Sequence, residues 1–461
     1  MVDIRNTNCP EAALDLWLGD AVGMDGVGVG NTGVDAILAV AYDYTQYYLP
    51  GSPPIELVAV YCSSGGQLYF SVAALTPSLR RQLESMETSL SGLRECARAN
   101  DLPVLVLGKP LRLETVSIAK PWGKEVWYTG IEERGVSQVT DGGASTPLPW
   151  VLSVAPERLT SNRERQINLL KILDPLPEAV YGDLYFELHE EKREVYVVTH
   201  IDKGAWPDGV GAIRYGFNEE VKLTYSSEEA FRAGYLAAVK NYQLVRRQID
   251  EQLELLRQDE GLSSSEPVSV EIMKRWVSTL SPAMVELEET LRERMNTFTA
   301  LLPLKPGDVV KVPLRTPHAL QHGVRTVEFQ SPVYERMILS FAQKVLTQSD
   351  WDTEKAVEVM STDSPPLAEL TILEEDAGHR IEEVVVFEDF RVLRLTLAGS
   401  AEYLLQESRH YELLLVVDGT LDCGGELVEK ERAVLLPAHR ANLRLVNKVN
   451  RETTLLLASP V

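Results

Sequence analysis

Two stretches far apart in the chain constrain its fold most. One is Glu187-Leu-His189 with Glu194 shortly after; the other is Gly307-Asp-Val-Val-Lys-Val-Pro313-Leu-Arg-Thr-Pro317-His318. Only seven histidines occur in 461 residues, so an imidazole inside a patterned strand and turn stands out. Glu187 and His189 are two apart, which places them on one face of a strand, because strand side chains alternate between faces. Glu194-Val-Tyr-Val-Val198 reads as the next strand. Downstream, Pro306-Gly307-Asp308 is a turn, a short alternating apolar strand follows, and a Pro-bounded turn presents His318. Two imidazoles and two carboxylates form a ligand set suited to a divalent metal such as zinc. The expectation is that Glu187, His189, Glu194 and His318 converge inside a β-barrel.

Each half has a plainer reading when taken alone. Glu187 and His189 fit a solvent-facing strand edge, since charged residues alternate outward on many strands. His318 fits a turn histidine bonded to backbone. Each spacing is restrictive independently, and the two together favour the metal site.

A chain of this length exceeds one core and implies two to four domains. Its 44% hydrophobic and 25% charged residues are those of a globular protein. The formal charge of -23, from 68 acidic against 45 basic residues, repels phosphate backbones and argues against a nucleic-acid partner. An anionic small substrate would need a local basic pocket. No apolar run reaches the ~18 residues of a spanning helix, and Met1-Val-Asp-Ile-Arg-Asn lacks a signal-peptide core, so no membrane association is expected. Cys9, Cys62, Cys96 and Cys423 are scattered without paired spacing, which reads as free thiols in a reducing cytoplasm.

Residues 1–114 read as an α/β unit. Strands are expected at Ala36–Tyr42, Glu56–Tyr61, Leu68–Val72 and Leu102–Leu107, with one helix from Thr76-Pro77 to about Ala99. Gly28-Val-Gly30-Asn-Thr-Gly33 formally fits GxGxxG, but it follows no convincing strand and precedes a strand rather than a helix; a Gly-rich turn is the better reading. Residues 115–225 and 303–369 read as a β-barrel, interrupted by a helical insert at 226–302. The insert opens with a capping box, Ser226-Ser-Glu-Glu229, and a long amphipathic helix to about Asp259. Further helix follows, broken at Ser281-Pro282 and resuming to about Ala300. Apolar Phe231, Tyr235, Ala238 and Tyr242 recur at helical spacing without a strict heptad, so the insert is expected to pack on the barrel rather than form a coiled-coil arm. One more helix is expected at Val333 to about Leu346. Residues 370–461 read as short strands of a second barrel without metal, in which His410 and His439 stand alone.

The motifs resemble those of type I phosphomannose isomerases, zinc-dependent cupins, over about residues 119–461. Lys120-Pro-Trp-Gly123 is similar to the opening motif of that family, Leu169-Leu-Lys-Ile-Leu-Asp174 to the strand leading into its site, and Ile213-Arg-Tyr-Gly-Phe217 to the segment before its helical domain. Val312-Pro-Leu-Arg-Thr-Pro-His318-Ala-Leu320, Gly323, Val327-Glu-Phe-Gln330 and Tyr334-Glu-Arg336 are similar to its most specific run. The resemblance implies a mostly β fold of two cupin-type barrels with a helical domain. The N-terminal α/β unit has no counterpart in it. It implies Zn2+ on Glu187, His189, Glu194 and His318, a catalytic Arg336 and a site Lys192. It also implies an aldose–ketose isomerase of carbohydrate metabolism, interconverting mannose 6-phosphate and fructose 6-phosphate. Three positions depart from the family: Glu187 replaces Gln, Glu190 replaces Pro, and Arg315 replaces a turn Gly. These departures leave room for a metal-dependent cupin enzyme acting on another sugar, or for a catalytically silent sugar-binding protein. Arg336 also fits a helix-surface arginine, and Lys192 a hairpin-turn lysine.

Overall fold

The computed structural model describes residues 2–23, 35–161, 166–367 and 369–461. The Gly28–Gly33 motif lies outside the described residues. The chain is mostly β and divides into two compact units, one of Met1–Val116, Trp127–Leu170 and Leu370–Val461, the other of Ser117–Val126 and Lys171–Glu369. No helix among the described residues is long and apolar enough to cross a membrane.

The unit of Lys171–Glu369 is a cupin-type barrel. One sheet runs in the order Val309–Val312, Glu194–Ile201, Val324–Gln330, Leu169–Pro175, Gly123–Trp127, Val116–Lys120. The facing sheet runs Thr299–Leu304, Gly211–Phe217, His318–Leu320, Phe186–Leu188, Met337–Ser340. Between them lies a core that includes Trp122, Tyr196, Val198, Ile213, Tyr215, Leu320 and Ile338. Gly123 shows why the opening motif needs its glycine: φ is +144°, and a Cβ there would meet the Asp174 carbonyl oxygen at 2.3 Å.

The outer face of the second sheet is covered by the helical insert. Glu228–Asp259 forms one long helix, capped by Ser227, whose hydroxyl accepts from the Ala230 amide, one residue later than the capping box expected at Ser226. Phe231, Tyr235, Ala238 and Tyr242 are buried with Phe186, Phe217, Phe298, Ala319 and Met337. The insert continues as Val270–Val277 and Pro282–Asn296; the chain is back in a strand by Thr299, before the expected helix end at Ala300.

The helix expected at Val333–Leu346 is not formed. Met337–Ser340 is instead a strand paired with Phe186–Leu188, and the nearest helix is Thr353–Val359. Met337 and Leu339 pack under the insert while Ile338 points into the barrel, so both faces are buried. A run that is apolar on both faces carries no period that separates strand from helix.

In the other unit, an N-terminal sheet runs Ile4–Asn6, Ala36–Thr45, Pro54–Ser64, Gln67–Ala74, Leu105–Val106, with Ile4–Asn6 parallel to its neighbour. The helix expected from Thr76 to Ala99 is two helices, Pro77–Ser85 and Leu90–Ala99. Ser89 ends the first possibility of continuation by capping the second helix, its hydroxyl accepting from the Gly92 amide at 3.1 Å. Leu79, Leu83 and Leu93 close over Val58, Val60 and Cys62. The C-terminal strands form a second β-domain. Its larger sheet runs from Thr371–Glu375 to Ala433–Leu436 and then takes in Leu111–Glu114, Gln138–Thr140 and Ser145–Pro147. Its smaller sheet runs Glu402–Leu405, Leu443–Asn447, Thr420–Cys423, Glu426–Glu429. All four cysteines are free thiols.

Candidate metal centre

Strand pairing builds the site. Glu187 is the direct cross-strand partner of His318, so their side chains leave adjacent backbone positions on the same face. Glu194 enters from the opposing sheet, at the start of its strand, paired with Val312 and Gln330. His189 follows the Phe186–Leu188 strand directly. Ligand atoms of Glu187, His189 and His318 all lie within 4.8 Å of one another. One Glu194 oxygen lies 3.2 Å from His318 Nε2 and 3.5 Å from His189 Nε2. The four residues named from spacing therefore converge. His189 and His318 are 1% and 2% exposed, so His189 is not on a solvent-facing strand edge; His318 does bond backbone after a Pro-bounded turn, as its plainer reading has it, but is buried beside Glu194.

Both rings are held by the nitrogen that faces away. His189 Nδ1 lies 2.9 Å from the Glu335 carbonyl oxygen, and His318 Nδ1 lies 3.0 Å from the Thr316 carbonyl oxygen. A carbonyl can only accept, so each Nδ1 carries a proton and each Nε2 faces the centre. Such outer hydrogen bonds fix tautomer and ring angle for metal-binding histidines. Among the described residues, His189 Nε2 and Glu187 Oε2 are buried without a hydrogen-bond partner. Orphaned acceptors are costly in a protein interior, and here they face each other across a gap that a cation fits.

The charges agree with that fit. Burial lowers the His189 pKa, Lys192 lowers it further, and both together outweigh Glu194 and Glu187; the ring is neutral, as a metal ligand requires. Burial alone would raise Glu194, yet the adjacent Lys192 ammonium holds its carboxyl well below the usual range. Lys192 lies in the turn between the Phe186–Leu188 and Glu194–Ile201 strands, yet it is buried, with Nζ 2.7 Å from Glu194 Oε1. The Tyr196 hydroxyl donates to Glu194 at 2.7 Å.

Arg336 precedes the Met337–Ser340 strand and is not on a helix. Its guanidinium lies over the Tyr185 ring at 4.7 Å, donates to Thr347 Oγ1 at 2.6 Å, and approaches Glu187 Oε2 at 3.9 Å. It thus borders the ligand cluster on the Glu187 side. Arg315 holds φ at +63°, the left-handed conformation that the family glycine would adopt freely. Its amide donates to the His189 carbonyl at 2.6 Å, and its exposed side chain is 3.8 Å from Glu190. Two of the three departures from the family thus face each other.

Sequence reasoning missed a buried ion pair beside the ligands. Lys171 Nζ is 3.2 Å from Glu328 Oε2. Burial works against the charge on Lys171, but Glu328, Glu125 and Glu194 outweigh it and keep the ammonium. The available signal was the placement of Lys171 and Glu328 inside two motif strands, on positions that strand alternation turns inward.

Fold and site together define a cupin protein with a candidate metal centre. Among solved structures, mannose 6-phosphate isomerase from Bacillus subtilis matches 76% of this chain and 99% of its own, with TM-score 0.52 and 16% identity. A mutant of phosphomannose isomerase from Salmonella typhimurium matches 76% of this chain and 99% of its own, with TM-score 0.50 and 11% identity. At such identities the likeness establishes the fold, which is that of the phosphomannose isomerases. No family model matches the chain, and no curated protein matches it.

Proposed function

We propose that this protein is a zinc-dependent aldose–ketose isomerase acting on a hexose 6-phosphate, interconverting mannose 6-phosphate and fructose 6-phosphate. The observation that carries the reading is the pair of buried histidines whose Nδ1 atoms are committed to carbonyls and whose Nε2 atoms meet two carboxylates. Glu187, His189, Glu194 and His318 would hold the ion. Bound zinc supplies an electrophile for a sugar oxygen.

Isomerisation moves a proton between C1 and C2 through an enediol, and negative charge develops on oxygen along the way. Arg336 is the group for that charge: a guanidinium stays protonated, and Tyr185 and Thr347 hold it in place. Lys192 orients a sugar hydroxyl, and its contact with Glu194 fixes where its ammonium stands. The barrel walls exclude water from the ligands, which strengthens each of these interactions.

A second reading, a catalytically silent sugar-binding cupin, is favoured by one observation. Glu187, which stands where the family has Gln, lies 3.9 Å from Arg336 and engages the arginine that catalysis would need. Activity assays on zinc-reconstituted protein with mannose 6-phosphate and a panel of other hexose 6-phosphates separate the readings. Turnover of mannose 6-phosphate supports the proposal, turnover of another sugar alone moves the chemistry to that sugar, and metal binding without any turnover supports the silent protein.

A further inference from the structure

On the reverse side of the sheet that carries Glu187 and His318, beneath the helical insert, lies a cavity of about 70 Å3. Arg214 is on its wall, one residue before Tyr215 and cross-strand from Ala319. Strand alternation turns it away from the barrel interior, where Ile213 and Tyr215 pack. Among the described residues its side chain has one hydrogen bond, to Thr299 Oγ1 at 2.9 Å, and no salt bridge. A half-buried guanidinium without a carboxylate is unusual, because a charge withdrawn from water needs a counter-charge. Burial accordingly lowers its pKa, with Asp183 opposing.

The other walls are rich in donors. Tyr235 is fully buried there, and its hydroxyl makes no well-formed hydrogen bond, with the Ser340 hydroxyl its neighbour on the wall. Asn296 and Gln321 add amides. The remaining charged residues at the cavity are occupied elsewhere: Arg292 pairs with Glu288 at 3.2 Å, and Asp183 accepts from the His322 ring at 2.7 Å. Arg214 is therefore the one charge on these walls with no partner of its own among the described residues.

We propose that this cavity is a binding site for a small tetrahedral oxyanion, with inorganic phosphate as its simplest ligand, held by Arg214 and Tyr235. The space accepts roughly five water-sized groups, which suits a phosphate and is far too small for a hexose phosphate. Guanidinium forks match oxyanion geometry, and a buried hydroxyl donor adds directionality. Phe186 and Ala319, on the same wall, neighbour Glu187 and His318 in sequence, so an occupant packs on backbone that positions two candidate metal ligands.

The test is calorimetric titration of inorganic phosphate into the full-length, metal-loaded protein at constant ionic strength, with the variants Arg214→Met, Tyr235→Phe and Arg336→Ala. The expected result is saturable binding by the parent that Arg336→Ala retains. Arg214→Met should weaken binding about tenfold or more, and Tyr235→Phe about threefold or more. Tyr235→Phe preserves shape and remains decisive if Arg214→Met fails to fold. Absence of saturable binding by the parent overturns the proposal. So does binding that survives both Arg214→Met and Tyr235→Phe but disappears in Arg336→Ala, since the phosphate would then occupy the metal-centre side. Neither outcome depends on whether any sugar phosphate is turned over.

Discussion

His189 is tied to Glu335 directly and through the turn that follows it. The His189 ring donates to the Glu335 carbonyl, and the Glu335 carboxylate accepts from the amides of Glu190 and Glu191, at 3.0 Å and 3.3 Å, in the turn just after the histidine. The segment that carries Arg336 is thereby tied to a candidate metal ligand. Glu335→Ala keeps the backbone carbonyl that holds the His189 ring and removes only the carboxylate that anchors the turn after it, so zinc binding should weaken by about threefold with the fold intact. Competition with a zinc chelator measures this.

Arg336→Ala should lower kcat about a hundredfold or more and leave zinc content unchanged. Removing a charged stabiliser of an oxyanion costs about 3 kcal/mol in the transition state. Full turnover by this variant, on every sugar phosphate the parent accepts, would remove Arg336 from the mechanism.

His318→Ala should lose zinc and activity together, because the ligand set drops to three and the remaining Nε2 and carboxylates no longer close around the ion. Metal analysis of the purified variant beside its rate distinguishes this from a purely catalytic loss.

Glu187→Gln should hold or raise the rate. A neutral amide leaves more positive charge on the zinc and releases Arg336 from the carboxylate 3.9 Å away. A large drop in kcat with zinc retained would show that the carboxylate itself takes part.

Arg315→Gly should stabilise the protein by about 1 kcal/mol, since a non-glycine residue at φ +63° carries left-handed strain. The lost contact with Glu190 is long and exposed, and such pairs contribute little. A rise in the urea midpoint at unchanged slope is the expected reading.

The clustering of the four candidate ligands was legible because it rests on local rules. Two-residue spacing places Glu187 near His189 in space, and the Gly-Pro turn chemistry delivers His318 to a strand start. The 228–259 helix was legible from its period, since Phe231, Tyr235, Ala238 and Tyr242 mark one buried stripe. The Met337–Ser340 strand was not, because burial on both faces erases the period. Nor was the joining of Leu111–Glu114 to Ala433–Leu436, a pairing across most of the chain that leaves no local trace. The helix break between Ser85 and Leu90 turned on a single cap at Ser89, in a stretch otherwise amphipathic throughout. Lys171 and Glu328 were named only as parts of motifs, and their pairing appears only once the strands are assembled.

The central claim is that Glu187, His189, Glu194 and His318 hold one metal ion. Crystals grown with zinc, measured at its absorption edge, test it most directly. The account predicts one strong anomalous peak about 2 Å from the Nε2 atoms of His189 and His318, with carboxylate oxygens completing the shell. A zinc-loaded crystal with no peak between those two rings, or with its peak at His410 or His439, would contradict it.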